Sequence, residues 1–219
     1  MPPPTPKYPI LTLLPLVGIG LFLVLYVVAA QVYPGGSQAY KMATGFSWLH
    51  NYWCNLLNEK AMNGQPNPAK PIALSAMLIL CSSLVVFWYH LPTLFAVSES
   101  IKKAIRLSGI LSTIFTLFIY TAYHDILLNA AAFFGLIALS GTFWMLYNAR
   151  SIRLLRLGIA CLMLVMLNNY IYYATDRFYL PILQKCTFVC VLCWISWLTI
   201  AMYNEHKLIQ PTAVSTHIE

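Results

Sequence analysis

Long apolar stretches alternate with short polar stretches along the whole chain. A helix that crosses the roughly 30 Å hydrocarbon core of a membrane needs about 20 mostly apolar residues, because each residue adds only about 1.5 Å of length. Six stretches are long enough, at about residues 10–32, 72–95, 107–123, 126–147, 154–173 and 180–202. The pattern therefore predicts an all-α fold, in which residues 1–219 form a single domain with a bundle of six transmembrane helices.

The composition agrees with a polytopic integral membrane protein. Hydrophobic residues make up 60% of the 219 positions and charged residues only 9%, whereas an ordinary soluble domain has about 25% charged residues. A soluble globular protein is thus excluded. The net charge of +7 comes from 13 Lys and Arg against 6 Asp and Glu, thinly spread between the apolar stretches. This distribution does not form a basic face, so no nucleic-acid partner is expected.

The distribution of Lys and Arg predicts the orientation of the bundle, because short cytoplasmic loops are enriched in these residues. With the N-terminus inside, eight of them are cytoplasmic, four lie on the outer side and Lys185 lies within the last span. We therefore expect a multi-pass inner-membrane protein with both termini in the cytoplasm. The first apolar stretch is too long for a typical signal peptide, so we expect it to be retained as a span.

One long connection, residues 33–71, is predicted on the outer face, whereas residues 204–219 are expected to form a short solvated tail. Within the long loop, residues 45–57 are rich in aromatic and apolar side chains, which argues against disorder. Residues typical of tight turns flank this stretch on both sides. We expect an ordered interfacial helix or a re-entrant segment that packs on the bundle, with Trp48 or Trp53 partly buried.

The same loop carries a motif of glycine, asparagine and aromatic residues: Tyr33-Pro34-Gly35-Gly36, then Gly45-Phe46-Ser47 with Asn51-Tyr52-Trp53-Cys54-Asn55-Leu56, then Asn63-Gly64 and Asn67. This motif resembles the DUF998 family of six-span membrane proteins and, more distantly, the Frag1/DRAM/Sfk1 group. The match covers about thirty residues of the loop. The resemblance implies a six-helix fold with a long first outer loop and implies no activity, because DUF998 is a family of unknown function.

Polar side chains at membrane depth are costly and normally face the interior of a bundle or a water-filled cavity. In this chain, those on the outer half come from four spans or from the long loop, so we expect them to converge on an outer pocket roofed by the loop. The predicted ligand-binding residues are Trp48, Asn51, Trp53, Asn55, Asn129, Asn168, Asn169 and Asp176.

Three polar side chains in the last two spans have alternative interpretations. Asn168 and Asn169 are adjacent, and one of them is expected to form an interhelical hydrogen bond while the other reaches the pocket or the loop. Lys185 either extends its ammonium group to the outer interface or pairs with Asp176 or Asp125.

Two histidines could carry chemistry on the outer face. His124 precedes Asp125 in a short link, where the pair could act as a general base with its orienting carboxylate. We favour helix capping for Asp125 and leave the role of His124 open. His50 and Cys54 are four residues apart, so on a helix they share a face, and His124 would complete three weak metal-ligand candidates. A structural zinc site needs four protein ligands, so no metal is expected, and no cofactor is predicted.

The cysteines show a regular spacing in the last span. Cys186, Cys190 and Cys193 share one helical face, and we interpret them as packing residues, because a free cysteine behaves as a small hydrophobic residue. Only Cys54 lies in an outer loop, which excludes a framework of several disulfides and leaves open a single bridge from Cys54 to Cys186.

We consider three classes of function for such a bundle. A channel or ion-coupled transporter would show charged residues at mid-membrane or paired broken helices, and neither is present. A lipid hydrolase or transferase would use the catalytic candidates His50, His124 and Asp125, but the sequence has no nucleophile motif. We therefore favour a non-catalytic protein whose outer pocket binds an amphipathic ligand, such as a membrane lipid, or a partner membrane-protein subunit.

Overall fold

The computed structural model of the protein describes residues 9–95, 97–174 and 177–209, and within these ranges it is helical without a β-sheet. Three short 3-10 helices lie at Pro9–Leu13, Trp53–Leu57 and Leu91–Leu94. The long helices are α1 (Leu14–Gln31), α2 (Ala69–His90), α3 (Glu99–Leu117), α4 (His124–Asn148), α5 (Ile152–Ala174) and α6 (Leu180–Ile209).

Most of these helices can cross a membrane. Five stretches are long and apolar enough, namely Ile10–Gln31, Ala69–Leu94, His124–Asn148, Ile152–Tyr173 and Leu180–Asn204. The expectation of an all-α, multi-pass membrane protein is confirmed at this level.

The predicted third span, residues 107–123, differs from the helix that forms there. α3 begins at Glu99, directly after Ser98 in an extended conformation, and the Glu99 carboxylate lies at the favourable positive end of the helix. α3 ends at Leu117, and the next residues form turns. The aromatic and β-branched side chains of residues 118–121 have low helix propensity, which favours an end at this place. The helix is therefore shifted towards the N-terminus, into a charged segment.

The six long helices pack in the order of the sequence. Each one contacts the next, from α1 to α6, and α6 returns to contact α1, which closes a ring. Small residues allow close approach: a Cβ at Gly18 of α1 would lie 2.2 Å from the Ser83 Oγ of α2, and a Cβ at Gly109 of α3 would lie 2.2 Å from the Trp88 ring of α2. Such small residues are typical of helix contacts in membranes, where backbones pack closely.

The ring is not buried evenly. In the apolar windows of α1, α2 and α6, 39% of the residues are buried, against 17% in α4 and 11% in α5. Large apolar side chains such as Phe133 and Met163 are consequently exposed on α4 and α5. The tightly packed side of the ring is thus formed by α1, α2 and α6, and the polypeptide that joins α1 to α2 folds on this side.

Candidate functional site

Residues 33–68, which connect α1 to α2, fold into a compact unit that we call the cap. The Tyr33 hydroxyl accepts a hydrogen bond from the Met62 backbone N–H at 2.9 Å, so the two halves of the cap are tied together. Gly36 has a φ of +79°, and a Cβ there would lie 2.4 Å from the Asn63 backbone nitrogen. Both the conformation and the space therefore require glycine at this turn.

Buried asparagine side chains hold the centre of the cap. The Asn51 carboxamide accepts a hydrogen bond from the Ser47 N–H and donates one to the Gly36 carbonyl, each at 2.8 Å. The Asn55 side-chain oxygen accepts from the Tyr52 N–H at 2.7 Å. Both carboxamides are thus used within the cap, and the ligand-binding role of Asn51 and Asn55 stays a prediction.

A lysine from the last helix ties the cap to the bundle. Lys185 of α6 is only 5% exposed, and its ammonium group donates a hydrogen bond to the Asn51 backbone carbonyl and lies 5.9 Å from the centroid of the Phe46 ring. Of the alternatives for Lys185, the pairing with Asp125 is not formed, since Lys185 has no ion pair among the described residues, and the ammonium group is buried rather than extended to the outer interface. A buried charge needs a hydrogen-bond partner, and the cap supplies a carbonyl and an aromatic face.

Trp53 anchors the cap between two helices. Its ring lies 5.7 Å from Phe22 and 5.3 Å from Tyr26 of α1, and 5.4 Å from Phe188 of α6, measured between centroids. Edge-to-face pairs of this kind each contribute about 0.5–1.5 kcal/mol beyond the burial of their area. The aromatic cluster and Lys185 together fix the cap against α1 and α6.

An apolar hollow of about 410 Å³, which we call the groove, lies between the cap and α6. Ile182, Cys186 and Val189 form its helical wall, because their spacing of four and three residues places them on one face. The ammonium group of Lys185 is turned towards the cap, so this residue contributes its aliphatic stem. The full lining is Trp48, Trp53, Ile182, Lys185, Cys186, Val189 and Cys190, and it presents no polar surface.

A second hollow of about 260 Å³, which we call the cavity, lies between the cap and the connection from α3 to α4. Its lining is Cys54, Leu57, Asn58, Ile119, Tyr120, Thr121 and His124. The Thr121 hydroxyl is buried and has no hydrogen-bond partner within the described ranges. Protein groups around the Cys54 thiol remove part of its hydration and raise its pKa, and a backbone hydrogen bond and the charge of Lys185 offset this effect in part.

His124 and Asp125 form a pair at the mouth of the cavity. The His124 Nδ1 lies 3.0 Å from the Asp125 carboxylate, and both side chains are exposed. The expectation that Asp125 accepts a capping hydrogen bond is wrong: α4 begins at His124, Tyr123 is the N-cap residue, and the N-cap makes no side-chain hydrogen bond. The carboxylate is engaged by the neighbouring ring, although its position in the first turn still favours the helix dipole. In the neutral ring, an Nδ1–H donated to the carboxylate leaves Nε2 as a proton acceptor.

His50 lies apart from this pair. Its ring packs 4.6 Å from Phe178 and 5.7 Å from Tyr40, and its Nδ1 is buried without a hydrogen-bond partner in the described part of the chain. The candidate metal ligands His50, Cys54 and His124 are not gathered, because no group of three metal-binding side chains occurs among the described residues. That ligand set is wrong, since the cap turns His50 towards aromatic neighbours.

Asn129, Asn168 and Asn169, which are also predicted to bind a ligand, line neither hollow. Asn168 of α5 donates a hydrogen bond to the Thr187 hydroxyl of α6 at 2.5 Å, which matches the interhelical interpretation for one of the two asparagines. Asn129 and Asn169 are exposed and line neither the groove nor the cavity. Asp176 falls outside the described residues.

The cysteine prediction is corrected in part. Cys54 and Cys186 are both free thiols, so the bridge that the sequence left open is not formed. Cys186 and Cys193 are exposed, so the packing interpretation is wrong for them. Cys186 and Cys190 line the groove.

Sequence reasoning missed the α6 wall of the groove and the Thr121 hydroxyl. Ile182, Cys186 and Val189 repeat at helical spacing, and this spacing could have predicted an apolar wall. Only the cysteines of this face are interpreted from the sequence. Thr121 gave no signal, because hydropathy placed it inside a span rather than in a turn.

No protein-family model, curated protein or solved structure matches the chain. The interpretation of the site therefore rests on its own geometry.

Proposed function

We propose that the protein binds a membrane lipid, with an acyl chain of the lipid held in the groove between the cap and α6. The observation that carries this proposal is the all-apolar lining of a hollow of about 410 Å³ under Trp48 and Trp53. Ligand sites of this size are usually apolar hollows with aromatic walls. An extended hydrocarbon chain fits such a lining, whereas a polar ligand would lose its hydration without gaining hydrogen bonds.

The placement of the groove relative to the bilayer follows from a topology that we propose with it. The chain crosses the inner membrane six times, with α3 and the turns after it as the third span, both termini in the cytoplasm and the cap outside. The closed ring of helices supports this count, because α3 packs between α2 and α4 like the other members. The groove then lies where the outer leaflet meets the cap, within reach of lipid tails. A six-span fold with a long first outer loop also agrees with the resemblance to the DUF998 family.

Filling the groove tests the lipid proposal. Val189 lines the groove and is 42% exposed, and Val165 of α5 is 38% exposed and does not line it. We expect Val189→Trp to lose a phospholipid that the wild-type protein and Val165→Trp retain after detergent extraction, as counted by native mass spectrometry. Equal retention by both variants would contradict the proposal, as would a retained protein subunit in place of the lipid.

Thiol labelling from the two sides of the membrane tests the topology. Met42 in the cap is 90% exposed, and Lys103 is exposed near the start of α3. In a background without native cysteines, we expect an impermeant maleimide to label Met42→Cys in intact cells and Lys103→Cys only after the membrane is opened. The reverse pattern would place the cap in the cytoplasm, and labelling of both positions from outside would contradict a crossing by α2.

A second candidate function is hydrolysis or group transfer on a lipid at the cavity. The observation that favours it is the His124 and Asp125 pair beside a buried, unpartnered Thr121 hydroxyl in the described part of the chain. Cys54 is a poor nucleophile in this setting, because its raised pKa keeps the thiol protonated at neutral pH. We therefore rank this function below lipid binding, and a double variant of the two histidines, His50→Ala with His124→Ala, distinguishes the two.

A further inference from the structure

The end of the bundle opposite the cap carries exposed positive charges. Neighbouring helices alternate in direction around the ring. The ends of α2 and α4 and the starts of α3 and α5 therefore lie at this end of the bundle. Lys103, Arg150, Arg153 and Arg156 are exposed at this end. Within the described ranges, none of these four has a carboxylate at ion-pair distance. We call these four residues the basic end.

Two neighbouring cations, in contrast to these four, have partners within the protein. Lys102 pairs with Glu99 at 2.9 Å. Arg106 donates to the Tyr89 carbonyl at 3.0 Å and lies over the Tyr89 ring, 4.5 Å from its centroid. The basic end is what remains after these internal partners are satisfied.

Arg150 occupies a backbone position that normally selects glycine. Its φ is +54°, in the left-handed region, and the Ser151 N–H donates to the Leu146 carbonyl at 2.9 Å, the bond that closes the end of α4. Glycine is favoured at such helix ends because any Cβ is strained there. Arg150 therefore directs the chain out of α4, and its side chain is exposed at this end of the bundle.

Arg153 and Arg156 add a second, regular feature. They are three residues apart in the first two turns of α5, so they lie on neighbouring positions of the helix surface. The N-terminus of a helix also carries partial positive charge. Guanidinium groups bind phosphate oxygens through paired hydrogen bonds, which suits them to a phosphodiester.

We propose that the basic end binds the headgroup of an anionic phospholipid. Its charges lie at the ends of apolar helices, which is the depth of lipid phosphates in a bilayer, and clusters of basic residues next to spans recognise anionic lipids. Charge complementarity selects this occupant over a zwitterionic lipid. The inference does not depend on the groove, since the two sites lie at opposite ends of the ring.

A lipid titration tests the proposal. The full-length protein is delipidated in detergent and titrated with phosphatidylglycerol or phosphatidylcholine, and binding is followed by native mass spectrometry. We expect the double variant Arg153→Gln, Arg156→Gln to bind phosphatidylglycerol about 25-fold more weakly, because each charge near the membrane contributes about fivefold. The charge-matched control Lys41→Gln, Lys60→Gln, which changes two exposed cap residues, should bind like the wild type.

Two more arms distinguish headgroup binding from misfolding and from the binding of free phosphate. The variant Arg153→Lys, Arg156→Lys keeps the charge and loses the paired guanidinium hydrogen bonds, so it should bind phosphatidylglycerol more tightly than the Gln variant and less tightly than the wild type, while equal thermal unfolding of all variants in detergent shows that the fold is kept. Inorganic phosphate at the same concentration should not compete, because it lacks the lipid tails that hold the headgroup at this depth. Equal binding of the two lipids by the wild-type protein, equal loss in the cap control, or full competition by inorganic phosphate would each overturn the proposal.

Discussion

The groove and the cavity lie on opposite sides of one short element, the 3-10 helix at Trp53–Leu57. Trp53 turns into the groove, whereas the next residue, Cys54, lines the cavity. The groove has an entirely apolar lining and belongs to a cap that Lys185 and the aromatic cluster fix to α6. The cavity has polar groups, but the structure shows no hydrogen bond between its cap wall and its α3–α4 wall within the described residues.

The walls of the two hollows differ in how they are held in place. A site that recognises hydrocarbon needs a firm apolar wall, and the groove has one. A catalytic site needs polar groups held at fixed distances by further contacts. In the cavity, the His124 and Asp125 pair is exposed, and His50 packs elsewhere. The comparison therefore favours binding in the groove over chemistry in the cavity.

The largest expected effect comes from breaking the cap, which removes both hollows together. In Gly36→Ala, the new Cβ would lie 2.4 Å from a backbone nitrogen, and the φ of +79° is strained for alanine. We expect the free energy of unfolding to fall by about 3 kcal/mol or more, with loss of retained lipid. Thermal unfolding in detergent measures the change.

Gly64→Ala is the matched control for this prediction. Its φ of +86° is equally left-handed, but nothing lies within 4 Å of the new Cβ. We expect a loss of only about 1–2 kcal/mol, which is the cost of the conformation alone. Equal losses in the two variants would show that the close contacts of Gly36 do not hold the cap.

The second prediction concerns a substitution that weakens the groove and leaves the α3–α4 wall of the cavity unchanged. Lys185→Met keeps the aliphatic stem in the groove and removes the hydrogen bond to the Asn51 carbonyl. We expect a loss of about 1–3 kcal/mol, because a buried carbonyl is left without this partner, and weaker lipid retention with an unchanged α3–α4 connection. Thermal unfolding and native mass spectrometry measure both effects.

The control for Lys185 is Lys70→Met, which removes a pair with the largely exposed Glu59 carboxylate. Exposed ion pairs contribute at most about 1 kcal/mol, so stability should change little. If Lys185→Met behaves like this control, the lysine does not fix the cap to α6.

The sequence predicts features that depend on neighbouring residues better than contacts between residues that lie far apart in the chain. Apolar stretches of about 20 residues predict the spanning helices, because a single helix satisfies its own backbone hydrogen bonds. The aromatic content of residues 45–57 predicts a loop that packs on the bundle, and Trp48 and Trp53 line the groove there, although their role in ligand binding stays a prediction. These inferences need only local sequence.

The contacts that sequence reasoning could not predict are non-local. Lys185 bonds to a backbone carbonyl 134 positions away, and a carbonyl gives no sequence signal that distinguishes it from any other. Hydropathy also does not predict where α3 begins, because it marks only the apolar part of a helix, whereas the start at Ser98 and Glu99 depends on the backbone conformation there. The Asn51 side chain donates a hydrogen bond to the Gly36 carbonyl 15 positions away, and this contact likewise depends on the fold of the cap.

The third prediction concerns the cavity side of the short helix. The raised pKa of Cys54 means that less thiolate is present at a given pH than in an unfolded chain. In a variant that keeps Cys54 and replaces the other cysteines with Ala, we expect slower alkylation at pH 8 and a rate that still rises at higher pH. The same variant unfolded in strong detergent is the control, and identical pH profiles would contradict the crowded environment of the thiol.

The smallest effect is expected for the histidines. His124 is exposed, and His50 lies outside both hollows, so the double variant His50→Ala, His124→Ala should keep its fold and its retained phospholipid. Thermal unfolding and lipid counting check this expectation. If this variant keeps its fold and loses a lipid turnover that the wild type shows, the cavity is an active site, and chemistry there is favoured over binding in the groove.

Photocrosslinking tests most directly whether a lipid acyl chain occupies the groove. The probe is a phospholipid that carries a diazirine in its acyl chain. In membranes that contain this lipid, we predict crosslinks to Trp48, Trp53, Ile182 and Val189, with loss of these crosslinks in Val189→Trp and not in Val165→Trp. Crosslinks confined to the exposed apolar faces of α4 and α5, with none in the groove, would contradict the account.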